Sequence, residues 1–307
     1  MARDVCPGFI SIGSPAAVVF RHPSLLKRPA DATFTALSSA GAVSARIPIV
    51  KGAGEATRVR ITAAALTHAG RVREANEDCI AVGSWHSQSE MQSPQLFEHT
   101  LEAGFVAIVA DGMGGHPAGH IASEYATRRL AELLPEAETE REIAFAVRQA
   151  NTTLFLEMCR EPHRAAMGTA IAGLTIRDGS ITVFNVGDVR AYRLDQGELV
   201  QLSTDDTMDP GWEPGSTLLP RSGMLTQCLG GMYDFNDIAP HVDRERFRPG
   251  ATYLLCSDGL HEVLARDEIV PLIGPDLARS AQALFDAAMD AASTDNVSII
   301  LVRAEST

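Results

Sequence analysis

The chain has 307 residues, 45% hydrophobic and 21% charged, with a net charge of −13, which is ordinary for a soluble globular protein with a substantial core. No stretch reaches the roughly 20 apolar residues that would span a bilayer, and the run Pro15–Phe20 is too short for a secretory core, so a cytoplasmic protein with no membrane partner is expected. The acidic balance argues against nucleic acid, because phosphate backbones need clustered cations. That balance is uneven: residues 1–60 carry eight Lys/Arg against three Asp/Glu, and the remainder carries 18 against 36. Cys6, Cys79, Cys159, Cys228 and Cys256 are odd in number and widely spaced, which indicates buried thiols rather than a disulfide framework or a zinc knuckle.

Residues 1–56 read as a poorly structured extension, because Pro7, Gly8, Gly13, Pro15, Pro23 and Pro29 interrupt every candidate element. It is either a flexible arm or translated upstream sequence. The ordered domain is expected over 57–304. Val59–Thr67 alternates as a strand, and Gly104–Ala110 is a buried strand running into Asp111-Gly112. Ile121–Leu134 and Glu140–Met158 have helical spacing. Thr169–Ile176 and Ile181–Val186, joined at Asp178-Gly179, predict a hairpin, and Ala191–Leu194 with Glu198–Leu202 predict another. Residues 207–224 are rich in Pro and Gly and read as loop. Tyr253–Cys256 is a buried strand ending at Ser257-Asp258-Gly259, Leu277–Ala291 an amphipathic helix, and Val297–Val302 the closing strand. This order indicates α+β layers rather than alternating βαβ units.

Three apolar strands therefore end at, or begin just after, an aspartate: Asp111, Asp258 and Asp295. One Asp-Gly after a strand is usually a turn. Three such carboxylates brought together would repel one another unless a hard cation neutralised them. Arg73, close to Glu77 and Asp78, is either part of a solvated turn or a clamp for an anionic substrate.

Seven segments then stand in one order: Gly70-x-x-Arg73-x-x-Asn76-Glu77-Asp78, Asp111-Gly112-Met113-Gly114-Gly115-His116, Met167-Gly168-Thr169, Asn185-Val186-Gly187-Asp188-x-Arg190, Leu225-Thr226-Gln227-x-Leu229-Gly230, Leu255–Leu260 and Asp295-Asn296-Val297. Together they resemble the metal-dependent serine/threonine protein phosphatases, the PPM or type two C family, in their bacterial form, from about Thr62 to Val302. The resemblance implies a β-sandwich of two antiparallel sheets flanked by helix pairs, with metals at one end. It implies two Mn²⁺ or Mg²⁺ ions bridged by Asp111, with Asp258 and Asp295 on one, the Gly112 carbonyl on the other, and Glu77 or Asp78 acting directly or through water. Arg73 would hold the phosphate, and Asp188 with Asp258 would hold a weaker third metal. A hydroxide between the two cations would attack phosphorus in line, with no cysteine or serine nucleophile; Cys256 then belongs to strand packing.

The sequence departs from the family at several positions. Met113 stands where some members have a histidine general acid, leaving a metal-bound water, or less favourably His116, as proton donor. His120 and Val189 replace the common Glu and Ser, and Ala170 follows Gly168-Thr169 in place of a second Thr. The 207–224 loop is short. The implied partners are phosphorylated Ser/Thr proteins and a cognate Ser/Thr kinase with its substrates, and Leu225–Gly231 with the short loop resembles phosphatases paired with type VI secretion kinases. A monomer is expected. A phosphopeptide-binding module with negligible turnover, and a phosphatase for small phosphoesters, are the alternative readings.

Overall fold

A computed structural model describes residues 59–100, 104–113, 118–161, 164–208 and 224–306. The expected 1–56 extension, His116 and most of the 207–224 loop lie outside the described residues. Among these, two antiparallel sheets pack face to face. The first has the order β4 (Gln95–Thr100), β1 (Val59–His68), β13 (Val297–Ser306), β12 (Thr252–Cys256), β8 (Arg190–Asp195) and β9 (Glu198–Gln201). The second runs β11 (His241–Arg246), β7 (Ser180–Val186), β6 (Gly168–Arg177), β5 (Phe105–Met113), β2 (Cys79–Val82) and β3 (Trp85–Ser87), with β10 (Leu229–Gly230) beside β6.

Both faces of each central strand are buried, which explains why these strands read as apolar runs. In β5, Phe105, Ala107 and Val109 enter the core between the sheets, while Val106, Ile108 and Ala110 lie under helices. In β13, Ile300, Val302 and Ala304 face inward, and Val297, Ile299 and Leu301 face out. Small residues set the helix distance: α1 (Gly119–Leu133) lays Ala122, Ser123 and Ala126 on the second sheet. Its neighbour α2 (Glu140–Met158) starts at a capping box, with Glu142 N donating to Thr139 Oγ1 at 3.2 Å and Thr139 N to Glu142 Oε2 at 2.9 Å. The first sheet is covered by α5 (Leu277–Asp290), capped by Asp276, together with the short turns α3 (Asp258–His261) and α4 (Arg266–Ile269).

The same alternation produces a polar end. Successive inward positions are two residues apart, so the apolar rows continue into Thr67 on β1, Asp78 before β2, Asp111 on β5, Asn185 on β7, Ser257 after β12 and Ser298 on β13. Thr67, Asp78, Asn185, Ser257 and Ser298 are all buried there.

The predicted strands and helices over 59–67, 104–110, 121–134, 140–158, 169–186, 191–202, 253–256, 277–291 and 297–302 are present within a residue or two at most ends. The main difference is at β5, which continues through Asp111 and Gly112 to Met113, paired with Ala170, Thr169 and Gly168. The hairpin turn at Asp178 (φ 49°) and Gly179 (φ 70°) has the positive angles its sequence requires. The strands not foreseen, β2, β3, β4, β10 and β11, are short or polar and owe their extension to a partner.

α3 abuts the start of β13 so closely that a Cβ on Gly259 would lie 2.1 Å from the Asn296 carbonyl oxygen. Gly259→Ala is therefore expected to cost about 2 kcal/mol or more of stability. An unchanged denaturant midpoint would contradict this packing.

Candidate metal centre

Every acidic residue singled out from the sequence lies at this polar end, Glu77 and Asp78 before β2 and Asp111, Asp188, Asp258 and Asp295 each at another strand terminus. The segment joining β1 to β2 crosses it and carries Arg73, Glu77 and Asp78. Asn296 holds that segment down: its Nδ2 donates to the carbonyls of Ala69 (3.1 Å) and Ala75 (3.0 Å), and its Oδ1 accepts from Glu77 N at 2.8 Å. Beneath it the hydroxyls of Thr67 and Ser298 meet at 2.8 Å, Asn76 Nδ2 donates to Thr67 Oγ1 at 2.8 Å, and Ser298 N donates to Ser257 Oγ at 2.9 Å. Asp78 is enclosed by this network, yet neither carboxylate oxygen has a hydrogen-bond partner; the Ser257 and Ser298 hydroxyls stand beside it without meeting hydrogen-bond geometry.

Asp111 ends the inward row of β5, and its carbonyl accepts from Thr169 Oγ1 at 2.8 Å. Gly112 follows where a side chain has no room, since a Cβ would sit 2.4 Å from the carbonyl oxygens of both Glu77 and Gly119. On the facing residue, a Cβ on Gly119 would meet the Gly112 carbonyl oxygen at 2.9 Å and Glu77 Oε1 at 3.0 Å. Backbone and carboxylate oxygens thus crowd a cradle that only glycines permit. Ser123 steadies it from α1, donating to the Glu77 carbonyl at 2.5 Å.

Asp188 lies in the turn between β7 and β8, where its carbonyl meets His261 Nε2 at 3.0 Å. Asp258 opens α3, three residues before His261, with its Oδ1 sealed from solvent and unpartnered. Asp295 precedes β13 and is paired with Arg73, Nη2 to Oδ2 at 2.5 Å, in an ion pair about half exposed on the arginine side. Arg73 and Asp295, read from the sequence as a phosphate clamp and a metal ligand, therefore neutralise each other here.

Burial and mutual repulsion dominate the electrostatics. The Asp111 carboxyl is held well above its ordinary range by burial and then by Asp78, Asp258, Asp188 and Asp295. Asp258 is raised likewise, by burial and then by Asp188, Asp295, Glu262 and Asp78. Burial pushes Asp78 to about 7 and Asp188 to about 6. Glu77 is raised by burial, against the pull of His120 and Arg73.

The donor set is oxygen throughout, with buried oxygens that no protein group satisfies. That is the chemistry of a hard divalent cation such as Mg²⁺ or Mn²⁺. Among the described residues no three His, Cys, Asp or Glu side chains already close on one point at ligand distance, in keeping with the turn of Asp295 toward Arg73. Cys256 is fully buried in the core beneath α5, and burial raises its thiol, so it packs rather than reacts.

Several site residues had no role assigned from the sequence. Asn296 was legible as the polar neighbour of Asp295, and His261 as the residue one helical turn beyond Asp258. Thr67, Ser123, Ser257 and Ser298 carry no local signal, because only the packing of the two sheets makes them neighbours of the acids.

The family model described as protein phosphatase 2C matches residues 82–295. The serine/threonine protein phosphatase PstP of Mycobacterium tuberculosis is 29% identical over 249 residues, covering 78% of this chain, which spans only 44% of that relative's length. Among solved structures, the catalytic domain of a PstP in complex with two manganese ions superposes with a TM-score of 0.64 at 26% identity, covering 80% of this chain and 99% of that one. PppA, a regulatory component of the type VI secretion system in Pseudomonas aeruginosa, superposes with a TM-score of 0.62 at 25% identity, over 80% and 97% of the two chains.

The raised carboxyls make a prediction for the metal-free protein. Asp78 holds its proton up to about pH 7 when folded, against an unfolded value near 3.8, so the folded chain binds more protons across that window and stability falls as pH rises through it. In EDTA the thermal midpoint should be higher at pH 5.5 than at 7.5, with a shallower slope in Asp78→Asn. Mn²⁺ should raise the midpoint more at 7.5 than at 5.5. A flat or inverted profile would contradict the assignment.

Proposed function

Because the chain belongs to the protein phosphatase 2C family, we propose that it hydrolyses phosphoserine and phosphothreonine on proteins with Mn²⁺ or Mg²⁺, reversing a bacterial Ser/Thr kinase. The observation that carries this reading is the group formed by buried Asp78 and part-buried Asp111 and Asp258, with orphaned oxygens on Asp78 and Asp258, at one end of the sandwich.

Asp111, Asp258, Asp295 and the Gly112 carbonyl would hold the two cations, with Glu77 or Asp78 acting directly or through water. Asp188 with Asp258 would hold a weaker third ion. Bound there, the cations supply an activated water and positive charge against the phosphoryl oxygens. The chain's own residues do the rest. Asn296 fixes the Arg73 segment, so the guanidinium is presented from a braced loop rather than a free one. Asp295 keeps Arg73 at the site edge; apart from each other, the carboxylate would be free to help hold a cation and the guanidinium to hold a phosphate. With Met113 in place of a histidine, proton delivery to the leaving oxygen falls to solvent held at the site.

The likeness to PppA favours a type VI secretion kinase as the opposing partner, and an intracellular monomer acting on phosphoproteins fits the acidic body. Asp111→Asn should lower turnover of p-nitrophenyl phosphate and of a phosphothreonine peptide by at least about a hundredfold with Mn²⁺. Arg73→Ala should raise the peptide KM by roughly tenfold or more. Full activity in Asp111→Asn would overturn the metal-centre reading. Metal-dependent capture of the phosphopeptide by the unaltered chain without phosphate release would replace the enzyme with a binding module.

A further inference from the structure

The turn that carries Asp188 is held by side chains rather than by a strand ladder. Asn185 brackets Thr204, accepting from its N at 3.1 Å and donating to its carbonyl at 2.6 Å. Arg190 grips Asp205 through Nε at 3.0 Å and Nη2 at 2.7 Å, in a pair almost wholly buried. His261 meets the Asp188 carbonyl from the other side. Two further ties fall on the residue immediately before Asp188: Asn185 Nδ2 donates to the Gly187 carbonyl at 3.4 Å, and Asp206 holds Gly187 from both sides, accepting from Gly187 N through Oδ2 at 2.9 Å and donating its own N to the Gly187 carbonyl at 3.0 Å.

Asp206 has two further partners. Its Oδ1 lies 2.8 Å from Nε2 of His241, at the start of edge strand β11, and its carbonyl accepts from Thr226 N at 2.7 Å. One residue on, Thr207 bridges to Leu225, and Met208 N donates to the Met224 carbonyl at 3.3 Å. The carboxylate is only 10% exposed and has no arginine among these contacts. Burying it is worthwhile only because each oxygen is answered by a donor. Asp206 is thus the point where the stem formed by Thr207–Met208 and Met224–Thr226 is fastened to Gly187, the residue before Asp188. The fastening touches no expected ligand atom, so its effect on chemistry must pass through the placement of Asp188.

We propose that Asp206 is a positioning residue that fixes Asp188 to this stem, so that affinity for the weaker third cation depends on the Gly187–Asp206–His241 chain of contacts. The inference rests on the reading of Asp188 as a third-site ligand, and the experiment separates the two. Mn²⁺ binding to the full chain is measured by calorimetry, with thermal midpoints in EDTA as a control for folding. The unaltered protein should show two tight sites and one weak site, and Asp188→Ala should abolish the weak one. Asp206→Ala should weaken that site about tenfold, as loss of an outer partner of a ligand does, and leave the tight sites unchanged. Asp206→Asn should recover most of the loss, because its carbonyl can accept from Gly187 N while its amide donates to the other His241 tautomer.

If Asp206→Ala fails to fold, His241→Ala takes its place, with a smaller weakening expected. Normal weak-site affinity in the variant used, alongside loss of the site in Asp188→Ala, would overturn this inference alone. A weak site that survives Asp188→Ala, or none in the unaltered protein, would overturn the third-site reading and this inference with it. Asp206→Asn no better than Asp206→Ala would mean that charge rather than hydrogen bonding matters, and would overturn the positioning role.

Discussion

The constraint on which the structure turns is the burial of like-charged carboxylates at one end of a two-sheet core. Asp258 raises the proton affinity of Asp111, and Asp78, Asp188 and Asp295 add to both. No isolated loop would hold them together, since repulsion would simply open it. They stay because each is fixed to a strand whose remaining length is committed to the core. The row Phe105, Ala107 and Val109 is buried between the sheets, and Asp111 is its next member. The apolar interior thus supplies the force that keeps the acids in place, and the acids give that interior an end with chemistry.

Much of this was legible because the central strands obey local rules. An apolar run buried on both faces announces itself, and so does the residue at which it turns polar. Asp111, Asp258 and Asp295 could therefore be placed at strand ends from the text alone. Their convergence could not, because it depends on the order β1, β13 and β12 in one sheet and β2, β5 and β6 in the other. That order is a long-range fact, visible in the sequence only through the seven ordered motifs. The motifs point to a family, whereas the geometry explains why such residues belong in such places.

What the text concealed falls into two physical kinds. β4 and β11, reading Gln-Leu-Phe-Glu-His-Thr and His-Val-Asp-Arg-Glu-Arg, lie at sheet edges and are partly open to water, so polarity there reports exposure rather than loop. Their extension comes from β1 and β7. The second kind is the small polar residue that supports an acid from another strand. Thr67 and Ser298 are 231 positions apart and share one hydrogen bond, and nothing near either predicts the other. Asn296 lies between these cases: its place beside Asp295 is a local fact of the sequence, while its bonds to Ala69, Ala75 and Glu77 exist only because the β1–β2 segment crosses the strand ends.

The Arg73–Asp295 pair stands at the rim of this acidic end. A guanidinium has five donors but one charge, and that charge cannot fully satisfy a carboxylate and a phosphate dianion at once. Asp295 is about a third exposed and its arginine about half, so the repulsion felt by Asp111 and Asp258 is relieved at an outer, solvent-facing edge. An arginine buried deeper, paired as Arg190 is with Asp205, would be locked to its partner. Its position at the rim allows the same residue to quiet the acids in one state and, on the proposed reading, to receive the phosphate in the other. The depth of each arginine thus separates framework from function more clearly than its residue type does.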